Sequence, residues 1–187
     1  YGSINNNINL KDDNNRKIYA GFKIASEFLI KNYCNNRGIS LNICRVFNLY
    51  GKHNKFSIIE KFKDAKKNNH KIIIYNQGLS LRDFIHVDDV VKVYINILKK
   101  VSGSNLFDVG TGKGISISEI IDKLKLKKKN IIYKKNKINE IIDSIADNKE
   151  LMKRIKNIKF KRIENYLGIK KVLKFKKISN KNYIENN

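Results

Sequence analysis

The chain has 187 residues, enough for one domain with a hydrophobic core, and its apolar fraction of 41% argues against disorder. The formal net charge is +23, but the basic residues are scattered and no recognised nucleic-acid motif accompanies them, so the charge reads as compositional bias and not as a nucleic-acid interface. No apolar run is long enough to span a bilayer, no signal peptide opens the chain, and Cys34 and Cys44 form neither a metal-ligand spacing nor a disulfide framework, which together predict a cytoplasmic protein without membrane contact or bound metal.

Residues 4–15 are rich in Asn and Asp and read as a loop. Ile18, Phe22, Ala25, Phe28 and Leu29 then recur at helical spacing, which predicts a helix over 16–35 that stops at Asn36-Arg37-Gly38. A strand is expected over 39–47, a helix over 56–67, and a strand over 71–75 followed by a turn around Gly78. Residues 84–87 read as a short extended piece, with Asp88 as the N-cap of a helix over 89–100. A strand over 105–109, a glycine-rich turn over 110–114, a helix over 116–126 and a strand over 130–133 follow. Two weaker helical stretches lie near 148–155 and 160–167, and 174–187 reads as a loose tail. Strands alternate with helices throughout, so the class is α/β, and no linker marks a second domain.

Three constellations bear on chemistry. Tyr19 and Lys23 stand four residues apart on the first helix, with Glu27 one turn further, so the phenol and the ammonium share a face. An ammonium beside a phenol stabilises phenolate, and such a phenol exchanges a proton with a substrate hydroxyl. The same spacing also describes an aromatic contact beside a solvated lysine. Cys44 to Gly51 runs from strand to turn, and the carboxyl end of a strand in an α/β sheet faces the ligand crevice. Asn48 there offers its amide to a phosphate or sugar oxygen, or merely shapes the turn. In Leu81 to Val91, Arg82 carries the planar fork that grips a diphosphate. His86 and Asp88 lack further metal ligands, so helix capping accounts better for the acids that follow.

The order and spacing of these segments carry a resemblance. Tyr1-Gly2, then Y-x-x-x-K at Tyr19 to Lys23 with a following Glu, then R-x-F-N-x-Y-G, then R-D-F-I-H-V-D-D-V, then a strand and a G-T-G turn resemble the extended short-chain dehydrogenases/reductases of the NAD-dependent epimerase/dehydratase type, such as UDP-glucose 4-epimerases. The likeness covers roughly residues 1–126 and fades beyond them. It implies the C-terminal part of a Rossmann-type parallel sheet with a small α/β substrate-binding lobe, a single truncated domain over 1–187 whose dinucleotide-binding half lies upstream. It implies NAD, in preference to NADP, as cofactor and a nucleotide sugar as substrate. Tyr19 then looks like the acid/base. Lys23 looks like its phenolate-stabilising partner and the holder of the nicotinamide ribose. Tyr19, Lys23 and Phe47 fall where the family contacts the cofactor, Asn48 and Arg82 where it contacts the diphosphate. Epimerisation through transient oxidation of the sugar is the implied activity, with 4,6-dehydration or reduction as alternatives and a homodimer as the implied state of the full-length protein.

The resemblance is incomplete. No glycine-rich phosphate loop precedes Tyr1, the catalytic Ser or Thr expected before the Tyr-Gly pair is missing, and Lys52 stands where Pro usually follows Tyr50-Gly51. The fragment by itself is therefore expected to be inactive. A rival of another class rests on Phe107 to Gly114, which resembles the first motif of S-adenosylmethionine-dependent methyltransferases. Lys134 and Lys135 occupy the place of the acid those enzymes use to hold ribose, and only about 70 residues follow, too few for the sheet such a domain needs.

Overall fold

The computed structural model describes residues 14–52, 54, 57–135, 142–156 and 158–167, with side chains from residue 17 onward. The expected loop before residue 14, the Tyr1-Gly2 pair, His53 and the tail over 174–187 lie outside the described residues. In chain order the elements are α1 (Asn14–Asn36), β1 (Asn42–Val46), β2 (Asn48–Tyr50), α2 (Ile58–Asn68), β3 (Ile72–Tyr75), β4 (Leu81–His86), α3 (Val87–Lys100), β5 (Asn105–Val109), β6 (Gly114–Ser116), α4 (Ile117–Leu124), β7 (Ile131–Lys134), β8 (Asp143–Ser144), α5 (Lys149–Arg154) and α6 (Ile163–Tyr166). Strands β1 and β5 pair in parallel, as do β3 and β7. A third sheet centres on β4, which takes β2 and β8 in parallel and β6 antiparallel. The expected α/β class with parallel pairing is what forms. Among the described residues no helix is long and apolar enough to cross a membrane.

Two buried clusters hold these layers together. In the first, Ile59, Phe62 and Ala65 of α2 meet Ile117, Ile120, Ile121 and Leu124 of α4 over Ile74 and Phe84. In the second, Val90, Val93 and Ile97 of α3 pack with Phe107 and Val109 of β5, Ile85 of β4, and Leu151 and Ile155. Strand β4 serves both, because neighbouring residues of a strand point to opposite faces and Phe84 and Ile85 therefore enter different cores.

Several boundaries depart from the sequence expectation. The strand expected over 39–47 begins at Asn42, and the chain crosses from one sheet to another at Phe47, whose amide donates to the Val109 carbonyl at 3.0 Å. Asp88 is not the cap of α3. The helix starts two residues earlier, at Val87, and the Nδ1 of His86 accepts from the Asp88 amide at 3.1 Å, which leaves Asp88 and Asp89 in the first turn. Ser116 likewise caps α4, accepting from the Glu119 amide, and stands outside the helix.

The apolar stripe of α1 also sits differently from a core stripe. Ile18, Phe22, Phe28 and Leu29 are 55–70% exposed. Among the described side chains of α1 the buried ones are Ala20, Glu27 and Cys34, spaced seven apart along one line. At about 100° per residue, Ile18, Phe22, Ala25 and Leu29 fall on the opposite side of the helix. The periodicity marks the helix correctly but not the face that meets the sheet.

The turn after β3 is strained. Asn76, Gln77 and Gly78 all have positive φ, at 47°, 49° and 77°. Gln77 is exposed in the left-handed region, where a side chain costs about 1–2 kcal/mol that glycine avoids. Gly78 has a second constraint, because a Cβ there would lie 2.9 Å from the amide nitrogen of Ser118 in α4. Gln77→Gly is expected to be neutral or to raise stability by about 0.5 kcal/mol, and Gly78→Ala to lower it by roughly 2 kcal/mol. Urea unfolding of the two variants checks both signs.

Candidate functional site

Helix α1 carries the first pair. Tyr19 and Lys23 are exposed neighbours one turn apart, with the Lys23 Nζ 5.7 Å from the centroid of the Tyr19 ring. They flank the line of Ala20, Glu27 and Cys34 that faces the sheet. Glu27 ties that line to β1: the Nε of Arg45 donates to its Oε1 at 2.9 Å and the Nη2 to its Oε2 at 2.7 Å. Two residues after Arg45, the chain passes half-buried Phe47 into β2.

Asn48 and Arg82 come together. Both line one cavity of about 460 Å³, with Asn54, Ser57, Ile58 and Phe84 among its other walls. Asn48 donates one amide hydrogen to the Asp83 carbonyl at 2.9 Å, which pins it to the wall. Arg82 is held by main-chain oxygens, its Nη1 donating to Leu81 at 2.7 Å and to Ile142 at 3.0 Å. Among the described lining residues Arg82 brings the single formal charge. The cavity therefore combines a fixed cation, neutral amides and hydroxyls, and apolar surface, which suits an anion attached to a flat or ring-shaped group. Tyr19, Lys23 and Phe47 are not among its walls.

A buried aromatic group lies behind β2 and escaped the sequence reading. The Tyr50 ring stands edge-on to His86 at 5.2 Å and to Tyr166 at 5.1 Å between centroids. Burial, then the charges of Asp89 and Glu164, push the Tyr50 phenol well above its ordinary range, and its hydroxyl has no hydrogen-bond partner among the described residues. Tyr166 donates to Glu60 at 2.7 Å, and burial followed by that bond pushes it up to about 12. Both phenols are thus held neutral, which sets them apart from a proton-exchanging role. The Nδ1 of His86 is engaged as a helix cap, so the H-x-D string does structural work.

The glycine-rich turn settles the methyltransferase alternative by what occupies it. The carboxylate of Asp83, fully buried, accepts from the Thr111 amide at 2.9 Å, the Thr111 hydroxyl at 2.6 Å, the Gly112 amide at 2.8 Å and the Ala146 amide at 3.3 Å. The donors that would cradle a nucleotide hold an internal anion instead. Gly110 is needed for this approach, since a Cβ there would lie 2.6 Å from the Asp83 Oδ2. Asn148 closes the turn from the far side, donating to the Gly110 carbonyl at 2.9 Å. The sequence signal for Asp83 was its place in R-D-F, but nothing local says that its partners lie near 111 and 146. Asp83→Ala leaves buried amides without an acceptor and is expected to destabilise the protein by roughly 3 kcal/mol, with Asp83→Asn intermediate. Equilibrium unfolding in urea, with an unchanged m-value, measures the loss.

The sequence model of the NAD dependent epimerase/dehydratase family matches residues 1–110. The dTDP-D-glucose 4,6-dehydratase of Homo sapiens is 30% identical over 107 residues, which cover 57% of this chain and 31% of that protein. A putative UDP-glucose 4-epimerase of Methanocaldococcus jannaschii is 29% identical over 171 residues, covering 87% of this chain and 54% of that one. Among solved structures, the dTDP-glucose 4,6-dehydratase DesIV of Streptomyces venezuelae, with NAD and TYD bound, superposes with a TM-score of 0.66 at 18% identity over 73% of this chain and 44% of its own. The last likeness establishes a Rossmann-type epimerase/dehydratase fold, and the chain spans about a third to a half of the length of the proteins it matches. The matched segment runs from the chain's first residue through the Tyr19–Lys23 pair, Asn48, Arg82 and the strand ahead of the Asp83-filled turn, and the chain belongs to the NAD dependent epimerase/dehydratase family.

Proposed function

We propose that the protein carrying this chain is a nucleotide-sugar epimerase of the UDP-glucose 4-epimerase kind. The observation that carries the reading is the meeting of Asn48 and Arg82 in the walls of one cavity. A fixed guanidinium fork binds a diphosphate, the Asn48 amide takes a neighbouring oxygen, and Ile58 and Phe84 offer apolar surface to the rest of the ligand. The exposed Tyr19 hydroxyl takes the proton from a sugar hydroxyl and returns it, with Lys23 stabilising the phenolate between the two events.

The described residues suit the nicotinamide-ribose end of NAD: an exposed phenol and ammonium on α1, beside the β1–β2 crossing at Phe47. They do not supply a dinucleotide phosphate loop, because the glycine-rich turn is filled by Asp83. When bound, NAD supplies reversible oxidation of the sugar carbon. The outward stripe of Ile18, Phe22 and Leu29 supports a homodimer of the whole protein with α1 at its interface. A 4,6-dehydratase is the second reading, favoured by the 30% identity to the human dTDP-D-glucose 4,6-dehydratase.

The complete gene product, given NAD and UDP-glucose, is expected to form UDP-galactose, detectable by proton NMR. Given dTDP-glucose, a 4-keto-6-deoxy product would overturn epimerisation in favour of dehydration. In either case Tyr19→Phe should lower turnover by about 10²- to 10⁴-fold while sparing nucleotide-sugar binding. Arg82→Ala should instead weaken the binding of UDP by about tenfold or more, read by calorimetry. Unimpaired turnover in Tyr19→Phe counts against the assigned role.

A further inference from the structure

Helix α1 is poorly anchored by apolar contact. Of its described side chains, Ala20, Glu27 and Cys34 are buried, and Ala20 and Cys34 are small. Small side chains permit a helix to roll and slide on a sheet, since they interlock little with the neighbours. Yet Tyr19 and Lys23 lie beside that docked line, so any roll of α1 moves both of them relative to β1 and the crossing at Phe47. A group displaced by about 1 Å from a reacting geometry loses on the order of a hundredfold in rate. Something must hold the helix in rotation and in height.

Glu27 does this. It is 8% exposed on a helix whose other described side chains are, for the most part, in solvent. A carboxylate so placed needs strong compensation, and Arg45 of β1 provides it through two parallel bonds at 2.9 and 2.7 Å. Two bonds from a planar fork to a planar carboxylate fix orientation as well as distance. Glu27 stands one turn beyond Lys23 and two beyond Tyr19, and Arg45 stands three residues before Asn48 on the adjoining strand. We propose that Glu27 and Arg45 are positioning residues of the reaction, the pair that aims Tyr19 and Lys23 at the crevice beside Asn48. The inference rests on the acid/base reading of Tyr19. It adds that the Glu27–Arg45 pair, more than apolar packing, sets the aim of this helix.

The test uses the complete gene product at temperatures well below the unfolding midpoint of each variant. Glu27→Gln should lower kcat at least ~10-fold. KM for the nucleotide sugar should stay within about twofold, because Asn48 and Arg82 are fixed by other elements. NAD affinity, measured by calorimetry in the absence of sugar, should fall with the displacement of Lys23. Arg45→Lys keeps the charge and loses the fork, so it should show the same pattern more weakly. The exchanged pair Glu27→Arg with Arg45→Glu should recover part of kcat. A pair with a purely structural role lowers the melting temperature and leaves kcat and NAD affinity as in the parent. That result overturns the positioning role and leaves the reading of Tyr19 standing. If Glu27→Gln cannot be folded, Arg45→Lys decides: parental kcat and NAD affinity overturn the proposal, and a loss of both at unchanged KM supports it. A parent protein with no turnover overturns the acid/base reading, and the positioning role falls with it.

Discussion

One buried carboxylate organises the walls of the cavity in this structure. Asp83 sits at zero exposure in the middle of β4 and gathers three backbone amides and a hydroxyl from two distant segments. An isolated charge in that position would cost several kcal/mol, so the surrounding donors are a condition of its being there. Strand alternation makes the consequence local. With Asp83 turned toward the glycine-rich turn and Ile85 into the second core, Arg82 and Phe84 face the other way and become walls of the cavity. The Asp83 carbonyl, in turn, receives the Asn48 amide. The two residues proposed to hold a diphosphate are therefore both placed through Asp83, one as its chain neighbour and the other by a hydrogen bond to its carbonyl.

Asp89 repeats the device six residues later. Its buried carboxylate accepts from the Lys161 amide and from the Lys92 Nζ, which fastens the segment before α6 to the start of α3. Seen this way, R-D-F-I-H-V-D-D is mostly scaffold: two carboxylates bind backbone, Phe84 and Ile85 fill two cores, and His86 caps a helix. One member, Arg82, is left facing the cavity. Density of recognisable letters in a motif does not measure density of chemistry.

What could be read from sequence followed range of interaction. Helices α1 and α3 and strand β5 were legible because periodicity and propensity are local. The cap of α3 was misplaced by two residues because aspartate is the common cap, whereas a histidine can cap only through an unprotonated Nδ1, which no local pattern announces. The stripe on α1 was visible, but a period gives a face and not what covers it. The turn at Gly110 to Gly112 looks the same for a phosphate as for a carboxylate, and the two are told apart only when Asp83 arrives from another strand. Asn48 and Arg82 were named separately from two motifs. That they share a cavity follows from the parallel pairing of β2 with β4, a long-range fact.

The proposed site then divides into two halves with different anchors. The ligand-holding half is fastened through Asp83, and the proposed proton-exchanging pair rides on α1, fastened through Glu27 and Arg45. Their only covalent bridge among the described residues is the segment from Asn36 through β1 to Asn48. The charge of +23 does not couple them, since exposed lysines act over a Debye length of about 8 Å at physiological salt and raise the local concentration of any anion alike. In the proposed site, selectivity falls instead to the Arg82 guanidinium, which main-chain oxygens hold in place. In the proposed site, ligand affinity rests on the Arg82 arrangement and turnover on the Glu27–Arg45 arrangement, two ion-binding arrangements on different elements of one short chain.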